Sequence, residues 1–223
     1  MNEAIRLSAL DVHLAVAGQS RVTFGSMTTP AHFVRTLTAV AVALAVVACN
    51  AKLPEHGTLI DDPQPAPALH LADAQGRAFD LAAQRGQLTF VYFGYTHCPD
   101  ACPTTLTDWA RAKALLGSTG AAVHVVFVSV DPGRDTPEIA RNYAARFDSS
   151  FTGLVATAEQ LETIKTAWGF AVERDEMPGM KMDEYGVSHP AGVYFVNREG
   201  KLQFVFAPGS KPEEIASDLK RLM

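Results

Sequence analysis

Cysteine is scarce in this chain. Three occur among 223 residues, at positions 49, 98 and 102, too few for a scaffold held by several disulfides. Positive charge is also short: 19 Lys and Arg stand against 24 Asp and Glu, for a formal net charge of −5. That balance offers no electrostatic footprint for nucleic acid or for an anionic membrane surface. No internal repeat is present. The most apolar uncharged run, residues 36–48 (TLTAVAVALAVVA), falls short of the roughly 20 residues a comfortable membrane span requires. Two tryptophans, Trp109 and Trp168, sit at helix-face positions and give no stacking platform.

Preceded by Arg35 and closed by Ala48 and Cys49, the apolar run reads as a signal h-region. A small residue followed by cysteine resembles the lipobox of bacterial lipoproteins, in which the thiol takes a diacylglyceryl group. The alternative is an uncleaved N-terminal anchor. Either reading places the folded part outside the cytoplasm, tethered to a membrane and facing the periplasm or another extracytoplasmic space. Because the basic residue of this signal lies some thirty residues in, Met27 is the expected initiator.

Residues 1–49 are therefore read as an N-terminal extension with a lipoprotein-type signal or anchor. They carry three basic side chains (Arg6, Arg21, Arg35) and two acidic ones (Glu3, Asp11), so the remainder holds 16 Lys and Arg against 22 Asp and Glu, a formal charge of −6. Residues 50–68, with Pro54, Pro63, Pro65 and Pro67, read as an extended tether. Residues 69–223 are long enough for one domain with a core of its own.

Within that domain, residues 70–81 alternate around Gly76 and predict a hairpin. LTFVYFG (88–94) and VHVVFVSV (123–130) are continuous β-branched and aromatic runs, the mark of buried strands. Helices are expected over 103–116, from about Asp135 to Phe147, over 157–168 and over 211–222, with a short apolar piece at 153–156. Residues 191–197 and 202–207 flank a turn as a second hairpin. A βαβ crossover, a further helix, an antiparallel hairpin and a last helix describe an α/β thioredoxin-like sandwich, a central mixed sheet with an added N-terminal hairpin and flanking helices.

Cys98 and Cys102 fall where the first buried strand gives way to a helix, beside Pro99 and Pro103. Their spacing, Cys-Pro-Asp-Ala-Cys, is one residue longer than a thioredoxin pair. Both sulfurs can then face one point, so a metal can bridge them while a disulfide stays accessible. Soft thiolates favour Cu(I) or Zn, and the helix N-terminus is expected to depress both thiol pKa values.

A metal needs a third ligand. His56, His70 and His124 lie in the tether, the first hairpin and a strand start, and His97 reads as a bystander or a supporting group. His189 precedes Pro190 just before a strand, where the fold brings a loop beside the cysteines. Its position fits a ligand or a loop-anchoring hydrogen bond equally.

Asp131 to Pro137 reads as a turn, a helix cap and a local ion pair, with a partner surface at Arg134 and Asp135 as the alternative. Asp100, between the cysteines, caps the helix or tunes their charge. Met177, Met180 and Met182 lie in the loop that leads to His189; they are candidates for auxiliary Cu(I) binding or simple packing.

Three strings, YFGYTHCPDACPTTL, VSVDPGRDTPEIARNYAARF and SHPAGVYFVNREGKL, in this order and spacing resemble the Sco/SenC family over residues 60–222. Those are thioredoxin-fold copper proteins that help assemble the binuclear copper centre of cytochrome c oxidase. The resemblance implies that Cys98, Cys102 and His189 ligate copper, as Cu(I) or Cu(II), and that the partners are the copper-bearing oxidase subunit and other copper carriers. One departure is local: some members carry an acidic residue before the ligand histidine, and this chain has Ser188. Two rival chemistries use the same cysteines, a thiol-disulfide oxidoreductase acting on oxidase or other cysteines and a thiol peroxidase. The second is disfavoured because Thr96 stands two residues before Cys98 and peroxiredoxin-like motifs place their threonine three before.

Overall fold

The computed structural model describes residues 54–175 and 185–223. Its core is a six-stranded sheet in the order β1 (Thr58–Leu59), β10 (Leu202–Phe206), β9 (Val193–Val196), β4 (Leu88–Gly94), β5 (Val123–Ser129), β6 (Thr152–Val155). β4 runs parallel to β5 and antiparallel to β9, and all seven of its residues are buried. Neighbours on both edges and helices on both faces explain why its sequence is unbroken by polar residues.

The strand's period of two divides that core. Phe90 meets Trp109 of α1 (Ala101–Ala114) at a centroid distance of 4.5 Å, and Tyr92 meets Phe127 at 6.2 Å. Phe93 points to the other face, against Trp168 of α3 (Ala158–Trp168) at 5.1 Å. Burying each such ring contributes about 1.5–3 kcal/mol, and both tryptophans are core residues as their helix positions suggested. α2 (Pro137–Ala145) lies over β6, where a Cβ on Gly153 would fall 2.1 Å from the Ala140 carbonyl oxygen, so only glycine permits that approach. α4 (Pro212–Leu222) lies beside α1.

The hairpin of β2 (His70–Ala72) and β3 (Ala78–Asp80) forms as expected, and a second small pair joins β7 (Glu173–Asp175) to β8 (Gly186–Ser188). The architecture is a thioredoxin-like fold with a mixed central sheet. Two expectations shift. α1 begins at Ala101 rather than Pro103, which places Cys102 inside the helix.

The segment expected to run free as a tether is docked from Glu55 onward. β1 extends the sheet, Ala66 N–H donates to the Gly200 carbonyl, and Pro65 bridges Lys201. Proline rules out only the bonds its missing N–H would donate, so the intervening residues were free to pair at an edge. Among the described residues no helix is long and apolar enough to cross a membrane. The apolar run 36–48, Cys49 and the three loop methionines Met177, Met180 and Met182 lie outside the described residues.

Candidate metal centre

β4 ends at Gly94, and the chain turns through Tyr95 to Asp100 before α1 starts. Cys98 sits half-buried on that turn, while Cys102, in the first helical turn, is fully buried. Neither is in a disulfide. The Cys102 N–H donates to Cys98 Sγ at 3.3 Å, so the helix N-terminus addresses the outer sulfur. His189 approaches from the stretch between β8 and β9 and brings Nε2 to 3.6 Å from Cys102 Sγ. Its Nδ1 lies 3.0 Å from the Pro190 carbonyl oxygen. A proton on Nδ1 satisfies that contact and leaves the Nε2 lone pair facing the sulfur.

The ligand atoms of Cys98, Cys102 and His189 all lie within 4.8 Å of one another. The two roles left open for His189 are thus both available to it: Nδ1 anchors the loop and Nε2 faces the cysteines. Two sulfurs and one imidazole nitrogen form a soft donor set that fits Cu(I), and three donors leave a position open for exchange.

Burial separates the two thiols. Cys102 is pushed up to about 12, chiefly by desolvation of its thiolate, with the Cys98 charge adding to the rise. Cys98 is also opposed by burial, yet the N–H groups of Cys102, Asp100 and Ala101 outweigh it and hold the thiol below its ordinary value of 9.0. The expectation that the helix N-terminus depresses both is therefore corrected for Cys102: inside the first turn, loss of water outweighs the dipole. Burial also lowers His189, which keeps the imidazole neutral and able to donate a lone pair at neutral pH.

The other histidines lie elsewhere. His70 faces Asp80 at 3.2 Å, His124 Nε2 lies 3.0 Å from Thr152 Oγ1, and the His56 N–H donates to Asp218. His97 is exposed, with Nδ1 3.5 Å from Asp135 and outside the three-residue cluster. Asp100 occupies the N-cap position of α1 without a capping bond; its Oδ1 accepts from Thr104 Oγ1 at 3.4 Å. Ser188 Oγ donates to the Asp175 carboxylate at 3.1–3.2 Å, so a carboxylate stands near this position although the sequence carries none next to His189.

Four supports went unread in the sequence. Asp135 was taken for part of a cap, but the cap of α2 is Thr136, whose side chain accepts the Ile139 N–H. Asp135 itself turns inward. It accepts the Thr96 N–H at 2.9 Å, the Thr96 hydroxyl at 2.5 Å and the Ser129 hydroxyl, bolting the cysteine turn to the end of β5.

The turn and ion pair around it hold. Arg134 Nε lies 2.6 Å from Asp131, which also accepts the Tyr185 hydroxyl at 2.7 Å, and the guanidinium covers the Tyr185 ring. Tyr92 and Tyr95 present ring edges and faces to His189 at 6.2 and 5.7 Å, fixing the imidazole plane. The buried Tyr92 hydroxyl lies beside the sulfur pair without a well-formed hydrogen bond, and burial raises its pKa.

Gly94 is the fourth support. A Cβ there would stand 2.8 Å from Cys102 Sγ, so the absent side chain is the space that the sulfur fills. Of these, only Gly94 carried a local sign, a glycine closing an apolar strand.

A family model, SCO1/SenC, matches residues 60–223. An SCO2-like protein of Rickettsia felis is 30% identical over 154 residues, which is 67% of this chain and 73% of the relative. The structure of Bradyrhizobium japonicum ScoI with copper bound is 34% identical, with a TM-score of 0.63 over 72% of this chain and 100% of that one. The solution structure of apo Sco1 from Thermus thermophilus is 33% identical, with a TM-score of 0.68 over 78% of this chain and 100% of that one.

Proposed function

The chain belongs to the SCO1/SenC family, and on that premise we propose that it is a membrane-tethered, extracytoplasmic copper chaperone. It carries copper as cargo on Cys98, Cys102 and His189 and assists metallation of the binuclear copper centre of cytochrome c oxidase. The observation that carries this reading is the convergence of three soft donors from two separate segments within 4.8 Å. Copper in the Bradyrhizobium japonicum relative supports it.

The division of labour follows from exposure. Cys102 and His189 form the inner wall, held by the helix, Gly94 and the two tyrosines. Cys98 is the accessible sulfur from which an acceptor's ligand can take over the ion by exchange. In this reading residues 69–223, together with the segment docked on them from Glu55, form the copper-binding domain, and residues 1–49 supply the anchor. The loop methionines 177, 180 and 182 are candidates for auxiliary contacts during exchange.

One observation favours a second activity at the same site. Cys98 is the accessible, lowered thiol and Cys102 the buried, raised one, the asymmetry a thiol-disulfide reductase uses. The Cys98 thiolate attacks a substrate disulfide, one substrate sulfur leaves as a thiolate, and Cys102 then displaces the other by closing a Cys98–Cys102 disulfide. Two electrons pass from the chain to the substrate. His189→Ala separates the readings: the chaperone loses copper affinity in a chelator competition, whereas disulfide turnover survives. Unchanged copper affinity in that variant sinks the chaperone reading.

A further inference from the structure

Phe90, Tyr92 and Gly94 share one face of β4, because side chains alternate along a strand. α1 covers that face: Trp109 meets Phe90, and Cys102 Sγ fills the space where Gly94 has no side chain. The Cβ position that Gly94 leaves empty is 2.8 Å from that sulfur and 3.4 Å from Cε1 of Tyr92. The Tyr92 ring therefore stands beside the buried sulfur, and its hydroxyl reaches two side chains of α1, Cys102 and Thr105. Neither contact is a well-formed hydrogen bond, and the oxygen is buried from water.

A buried hydroxyl without a partner destabilises a fold, and packing explains only the ring. A phenylalanine would meet Phe127 and His189 at the same 6.2 Å. The oxygen is explained by what lies next to it. A thiol sulfur is a weak acceptor, whereas a thiolate is a strong one. Burial raises the Cys102 thiol, and the Tyr92 hydroxyl is first among the groups that oppose the rise, ahead of the Tyr95 N–H. When copper binds, the Cys102 S–H bond breaks, its proton goes to solvent, and the sulfur electron pair goes to the ion. The phenol then faces an anionic acceptor. Burial and the charge on Cys102 keep the phenol itself protonated, so it donates a hydrogen bond and exchanges no proton.

We propose that Tyr92 is a positioning residue for the cargo: its hydroxyl, backed by Thr105, is a donor held for the copper-bound Cys102 sulfur and biases the site toward Cu(I). Cu(I) leaves more charge on a thiolate than Cu(II) does, so a hydrogen bond to the sulfur is stronger in the reduced form. The proposal rests on the copper-binding reading above and adds how the site selects an oxidation state.

The test compares Tyr92→Phe, Thr105→Val and Tyr143→Phe in the full chain. Tyr143 is the control, a buried phenol that packs on Phe127 at 5.2 Å, also lacks a hydrogen-bond partner, and senses the two sulfurs only through their charge. In Tyr92→Phe, Cu(I) affinity from chelator competition should fall about tenfold or more, and Cu(II) affinity by less. Each tenfold difference between the two losses lowers the Cu(II)/Cu(I) reduction potential by about 59 mV. The sulfur-to-copper charge-transfer band of the Cu(II) form should move to longer wavelength. Thr105→Val should show a smaller change of the same sign, and Tyr143→Phe none. Stability in urea without copper should hold or rise in Tyr92→Phe, because the oxygen removed had no partner.

A Cu(I) affinity that is unchanged, or that falls no more than that for Cu(II), overturns the proposal. So does an equal loss in Tyr143→Phe, or a fall in copper-free stability in Tyr92→Phe, which would mean that the hydroxyl was already paired for structural reasons. A wild-type chain that binds no copper tightly defeats the chaperone reading and the proposal with it. That result is distinct from a wild type that binds and a Tyr92→Phe that binds equally.

Discussion

Copper binding to this site must release protons, and the count follows from the two thiols. At pH 7, taking the proton from Cys102, with its pKa at about 12, costs about 7 kcal/mol at 1.36 kcal/mol per pH unit. The ion must offset that cost before it gains any net affinity from the inner sulfur. Cys98, held below 9.0, gives up the protonated fraction that remains at the working pH. His189, lowered from 6.5 by burial, is neutral there and releases none.

Between one and two protons should therefore leave per copper at pH 7. Affinity rises with pH by one to two decades per unit, and the slope settles to one once Cys98 is ionised. Calorimetry in two buffers of different ionisation heat counts the protons directly, and Cu(I) chelator competition from pH 6.5 to 9 gives the slope. Cys102→Ser should lower the count by a full proton. A wild-type count below one, or the same count in Cys102→Ser, refutes the burial argument.

Two substitutions test the supports. Gly94→Ala puts a methyl group 2.8 Å from Cys102 Sγ, so the sulfur must move by roughly 1 Å to reach ordinary contact; overpacking of this kind costs about 1–3 kcal/mol. Copper affinity should fall by roughly 5- to 150-fold if that cost falls on the bound state, with the far-ultraviolet circular dichroism of the fold retained; unchanged affinity contradicts the role given to Gly94. Asp135→Ala strands the Thr96 N–H and the Thr96 and Ser129 hydroxyls, which should lower the urea stability by about 3 kcal/mol and expose the Thr96 amide to hydrogen exchange. Retained protection at Thr96 would show that another group holds the cysteine turn.

What the sequence made legible was whatever local pattern determines. β4 and β5 had to be buried because seven consecutive residues of each, nearly all apolar, leave no face for water, and Thr157 announced α3 three residues ahead of the Gln160 that completes its cap. Cys98 and Cys102 were visible as a pair from their spacing at a strand-to-helix junction. His189, 87 residues beyond Cys102, could only be placed by its position in the fold and by family likeness.

Long-range partners left no local trace. Asp135 meets Thr96 across 39 residues, and Asp218 meets Glu55 across 163, so one passed for a cap and the docked strap passed for a tether. The Cys102 pKa was misjudged for a related reason. A helix N-terminus can be read from sequence, but the depth of burial that opposes it is a property of the packed core.

The most direct test of the account is X-ray absorption of the copper-loaded soluble domain, alongside copper stoichiometry in Cys98→Ser, Cys102→Ser and His189→Ala. The account predicts one copper per chain with two sulfur neighbours and one imidazole nitrogen, and loss of tight binding in each variant. A copper shell without nitrogen, with full stoichiometry in His189→Ala, would contradict it.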